Sequence, residues 1–113
     1  MFDRSVQDIA ATGQVSLRGF SEPRIEPEII FGLAAAPSAG MDEAELSSCI
    51  GWVAAGFEIV QSIFPRWKFA AADTVAANGL HGALLVGPRH PFAQRAAEWR
   101  RELCEFEIDL SCD

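Results

Sequence analysis

The chain has 113 residues, half of them hydrophobic and 22% charged, with a formal net charge of −7. That length suits one domain with a real core, and the composition excludes a disordered chain. The acid excess argues against nucleic acid or an anionic membrane surface as a partner.

Cysteine usage and the apolar pattern narrow the setting. Cys49, Cys104 and Cys112 show no paired spacing, which fits a reducing compartment better than a disulfide framework. There is no C-x-x-C, and His81 and His90 lie in different segments, so zinc is not expected. Met1-Phe2-Asp3-Arg4 lacks the layout of a secretory leader, and Pro37, Gly40, Gly51, Gly56 and Glu58 interrupt the apolar windows well short of a membrane span. A cytoplasmic protein is the expectation.

In chain order, residues 1–24 read as a loop, broken by Gly13, Gly19 and Pro23, with one short strand at Gln14 to Leu17. Arg24 to Leu33 reads as a strand, with Ile25, Ile29 and Phe31 on one face and Glu26 and Glu28 on the other. Pro27 cannot donate to a ladder, so this strand belongs at an edge or is irregular at that residue. Asp42 opens the clearest helix, about 42–55, with Glu45 completing a capping box. Leu46, Cys49, Ile50, Val53 and Phe57 keep its period, and Gly56 is its natural stop.

Phe57 to Ile63 then reads as a strand carrying Glu58, Val60 and Ser62 on one face, closed by Pro65. One or two helical turns are expected from Asp73, as the cap, to Asn78-Gly79. A short buried strand is expected over Gly82 to Val86, and a helix over Gln94 to Leu103. Cys104 to Leu110 alternates as a half-buried strand, with Cys104, Phe106, Ile108 and Leu110 inward and Glu105, Glu107 and Asp109 solvated. No internal repeat or second domain is visible.

The chemistry resides in Glu26-Pro27-Glu28 and the later Glu58. Alternate residues of a strand project to the same side, so Glu26 and Glu28 can converge on one point. A third carboxylate from a second strand makes a hard, all-oxygen site suited to Mg²⁺ or Mn²⁺. The same spacing is also that of the solvated face of an edge strand. Lys68 is the only lysine and reads as a surface residue behind Trp67. Asp73 reads as a helix cap. Trp52, Trp67 and Trp99 read as core or interface residues, and Asn78-Gly79 as turn chemistry.

Three runs in fixed order, Arg24-Ile25-Glu26-Pro27-Glu28-Ile29, Gly56-Phe57-Glu58-Ile59-Val60-Gln61-Ser62, and Trp67-Lys68 through Asp73-Thr74-Val75-Ala76-Ala77-Asn78-Gly79, resemble the 2-keto-4-pentenoate hydratase family. This is the hydratase and decarboxylase branch of the fumarylacetoacetate hydrolase superfamily. The likeness is strongest from Arg24 to Pro88. It implies an α+β, mainly β fold, part of a fumarylacetoacetate-hydrolase-like mixed β-sheet roll. It also implies that Glu26, Glu28 and Glu58 bind Mg²⁺ or Mn²⁺, that Lys68 either pairs with the substrate carboxylate or holds a ligand acid in place, and that Asp73 stands near the pocket to position water or orient a ligand.

The implied activity is addition of water to 2-hydroxy-2,4-dienoate or 2-oxo-enoate acids from aromatic-ring degradation. The same resemblance leaves open a 2-oxo-3-hexenedioate (4-oxalocrotonate) decarboxylase, a related C–C bond hydrolase, or an inactive metal-binding scaffold. Complete members are considerably longer, so a single-domain fragment or truncated relative is expected. Its unpaired strand edges would favour homo-oligomers.

Overall fold

The computed structural model describes residues 3–10 and 13–111, and Cys112 lies outside them. Five strands form one mixed sheet: β1 (Val6–Asp8), β2 (Arg24–Leu33), β3 (Ile50–Val60), β4 (His81–Val86) and β5 (His90–Pro91). The order is β1-β4-β3-β2, with β5 also paired to β3. Only β1 and β4 run parallel. Three short helices decorate it: α1 (Glu43–Ser48), α2 (Ala71–Ala76) and α3 (Ala96–Glu102). The expected mainly β fold with helices is what the chain adopts. Among the described residues no helix is long and apolar enough to cross a membrane.

β3 is the organising strand. It pairs along its whole length with β2, while its other side is shared between β5 near Trp52 and β4 from Gly56 onward. Its two faces are both covered. On one, Ala54, Leu84 and Val86 pack with Ile30 and Trp52. On the other, Ile59, Ala83 and Leu85 pack beneath Ile9, Val15, Phe20 and Phe57. Gln14 to Leu17, expected to form a short strand, is irregular, while the short β1 forms earlier in the N-terminal stretch, at Val6–Asp8.

β2 has the limits its alternation predicts, and among the described residues it pairs on one side only, so Pro27 sits on an edge strand. The helix expected over 42–55 is confined to α1. Its capping box is present: Asp42 Oδ1 accepts from the Glu45 N–H at 2.9 Å and Glu45 Oε2 accepts from the Asp42 N–H at 2.8 Å. Beyond Cys49 the apolar residues join β3, because Ile50, Trp52 and Val53 gain ladder partners in Leu33, Gly32 and Phe31. β-branched and aromatic residues suit that pleated, two-sided burial.

Gly56, expected to stop the helix, lies inside β3. A Cβ there would stand 2.2 Å from the Leu85 carbonyl oxygen and 2.5 Å from Ile30 Cδ1, so only glycine admits this approach. Asp73 stabilises α2 from its third position rather than as its first cap, accepting the Ala70 N–H at 2.8 Å. Asn78 and Gly79 both take positive φ, 54° and 68°, as their turn chemistry predicts. The strand expected over Cys104 to Leu110 is absent: this tail is irregular and its apolar residues are largely exposed. Alternation alone does not form a strand without a ladder partner.

Candidate metal centre

Three acids meet on the face of the sheet that also carries Ile30, Ala54 and Leu84. Glu26 on β2 is the direct cross-strand partner of Glu58 on β3, and Glu28 follows two residues along, opposite Gly56. One carboxylate oxygen from each of Glu26, Glu28 and Glu58 lies within 4.8 Å of the others. The long antiparallel ladder between β2 and β3 sets this convergence, because a one-residue slip would send the acids to opposite faces. Glu26 is exposed, while Glu28 and Glu58 are half-buried.

Electrostatically the trio is uncompensated at two of its members. Among the described residues Glu26 and Glu28 have no hydrogen-bond or ion-pair partner. Like charges directly opposite on a sheet repel. A divalent cation reverses that balance, and three hard oxygens on one side of it leave other coordination positions open. The donor set therefore fits Mg²⁺ or Mn²⁺. A cavity of about 300 Å³ adjoins it, lined by Glu28, Glu58, Ile29, Ile30, Phe31 and Leu84.

Glu58 is the best-anchored acid. His81 Nδ1 lies 2.5 Å from its Oε1, and His81 Nε2 lies 2.7 Å from Ser5 Oγ. Sequence reasoning found no chemical neighbour for His81. The signal was beyond its reach, since the contact arises from a register shift between Ile59 and Val60 that pairs Val60 with His81.

Lys68 and Asp73 are not members of this cluster. Lys68 is exposed and does not line the cavity beside the acids. Its segment is nevertheless anchored at the Arg24 end of β2: the Arg24 guanidinium stacks 4.1 Å over the Trp67 ring, and the indole N–H of Trp67 donates to the Glu22 carbonyl at 3.0 Å. Arg24 shares its strand face with Glu26. Trp52 packs further along the face that carries the acids, so closely that Gly32 opposite it has no room for a Cβ. His90 lies at the other end of β3, its ring 6.0 Å from that of Trp99.

No family model matches the chain. A stretch of 79 residues, 67% of this chain, is 38% identical to 2-hydroxyhexa-2,4-dienoate hydratase of Comamonas testosteroni. A stretch of 78 residues, 69% of this chain, is 30% identical to 4-oxalocrotonate decarboxylase of Pseudomonas sp. In each case the match spans 30% of the relative's own length. Together with the three ordered motifs, these two similarities carry the resemblance of the shared segment to the 2-keto-4-pentenoate hydratase family, and the chain spans about a third of the length of the relatives it matches.

Proposed function

We propose that this chain carries the metal-binding part of a divalent-metal-dependent hydratase that acts in the cytoplasm on small 2-hydroxy-2,4-dienoate or 2-oxo-enoate acids. The observation that carries the reading is the meeting of Glu26, Glu28 and Glu58 within 4.8 Å beside a partly apolar cavity. In it these three residues hold Mg²⁺ or Mn²⁺. When bound, such a cation supplies Lewis acidity toward the carboxylate and C2 oxygens of a 2-oxo acid.

The chain's own residues do the rest. Ile30 and Leu84 offer an apolar wall for the hydrocarbon end of the substrate, next to the half-buried Glu28 and Glu58. That juxtaposition orients an acid with one polar and one unsaturated end. Lys68 is the proposed cation for the substrate carboxylate. Asp73 is the proposed polar group that places water, with its Oδ2 held by the Ala70 N–H. The 2-hydroxy-2,4-dienoate first ketonises, losing the C2 hydroxyl proton and gaining one at C5, and the resulting enone takes OH at C4 and H at C3 from water to give a 4-hydroxy-2-oxo acid.

The test is conversion of 2-hydroxypenta-2,4-dienoate with Mn²⁺, followed as loss of dienol absorbance, in wild type, Glu28→Gln and Lys68→Met. Turnover that disappears in Glu28→Gln supports the reading. Turnover unchanged in Glu28→Gln overturns it, and an unchanged Lys68→Met removes Lys68 from the site. A second reading, decarboxylation, is favoured by the similarity to 4-oxalocrotonate decarboxylase. CO₂ release from 2-oxo-3-hexenedioate without hydration of the dienoate would establish it instead.

A further inference from the structure

The proposed ligands differ in how they are held. Glu26 and Glu28 have no partner among the described residues, whereas Glu58 is gripped by a buried imidazole. The His81 side chain is 7% exposed, and both its ring nitrogens are engaged, Nδ1 by Glu58 Oε1 and Nε2 by Ser5 Oγ. A carboxylate only accepts hydrogen bonds, so Nδ1 bears the proton and donates to Glu58. Ser5, in the 3₁₀ turn Asp3–Ser5 ahead of β1, completes the ring from the opposite side.

This places three elements in one hydrogen-bonded line: the turn ahead of β1, the first residue of β4 and the C-terminal end of β3. The line fixes the ring, and the ring fixes the rotation of the Glu58 carboxylate. Neither Ser5 nor His81 lines the cavity beside the acids, so the imidazole stands behind Glu58 rather than where a substrate would sit.

We infer that His81 is a positioning residue for the third metal ligand, holding Glu58 Oε1 through Nδ1 so that the carboxylate meets the ion alongside Glu26 and Glu28, with Ser5 setting the ring. The inference rests on the metal reading above and deepens it. Hydrogen-bond partners behind ligating groups orient them, and their loss typically lowers metal affinity about 10–100-fold.

The experiment titrates Mn²⁺ alone into the metal-free chain, read by calorimetry and by the EPR line shape of the bound ion. His81→Phe weakens binding about 10–100-fold and broadens the spectrum. His81→Asn, whose amide can donate from the position of Nδ1, recovers most of the affinity; mere packing would not be rescued in this way. Ser5→Ala loses less than His81→Phe. Wild-type affinity in His81→Phe, or no recovery in His81→Asn, overturns the inference while the wild type still binds and the metal reading stands. Should His81→Phe fail to fold, His81→Asn and Ser5→Ala carry the comparison, and a Ser5→Ala chain indistinguishable from wild type in affinity and spectrum overturns it. A wild type that takes up no Mn²⁺ overturns both readings together.

Discussion

Replacing Glu26 by glutamine is expected to reverse the order of stability between variant and wild type when Mn²⁺ is added. Without metal, Glu26 faces Glu58 directly across the ladder and lies near Glu28, with carboxylate oxygens within 4.8 Å. Cross-strand pairs contribute roughly 0.2–1 kcal/mol, with like charges on the unfavourable side. Neutralising the exposed member should therefore stabilise the metal-free chain by about 0.5–1 kcal/mol. For a domain of this size that raises the melting temperature by roughly 2–4 °C.

With Mn²⁺ at one hundred times the wild-type Kd, the wild type gains about 2.7 kcal/mol, or roughly 10 °C. A variant whose affinity has fallen a hundredfold gains only about 0.4 kcal/mol at the same concentration. Thermal unfolding followed by circular dichroism, in EDTA and in Mn²⁺, reads both differences in one experiment. A wild type that is the more stable form in EDTA, or equal responses of both proteins to Mn²⁺, would refute the reasoning, because the acids would then be neither repelling one another nor sharing an ion.

Gly56→Val should cost about 3 kcal/mol, the upper end for overpacking, since its side chain meets the Leu85 backbone rather than a mobile group; urea unfolding with an unchanged midpoint would contradict this. Asp42→Ala removes the cap that accepts the Glu45 N–H and should cost about 1 kcal/mol, measured as a shift in the same transition; no shift would show that α1 stands without its cap. Among the described residues β1 and β2 are each paired on one side only, so the chain is expected to self-associate. Light scattering that returns the monomer mass of 12.3 kDa would exclude this.

How much of this was legible in the sequence varied by element. The limits of β2 could be read because Pro27 and the two glutamates mark an edge strand with one polar side. The pairing of Glu26 and Glu28 followed from a period of two, and Glu58 from the apolar residues around it. The start of β3 could not be read. Leu46, Cys49, Ile50 and Val53 satisfy a helical spacing, and only the long-range ladder to Leu33, Gly32 and Phe31 decides for a strand. The tail from Cys104 shows the converse: its alternation is regular, yet no neighbouring strand receives it. The link from His81 to Glu58 was hidden because a bulge, not a spacing, brings them together.

The position of Glu26 and Glu28 on an outermost strand has a mechanical consequence. β2 is secured along one margin only, and its Pro27 contributes no amide hydrogen to that attachment. A cation shared between Glu26, Glu28 and the interior Glu58 would act as a rivet across this seam. Loading the ion would then slow amide exchange in the middle of β2, and stripping it would let the margin of the sheet fray next to the cavity.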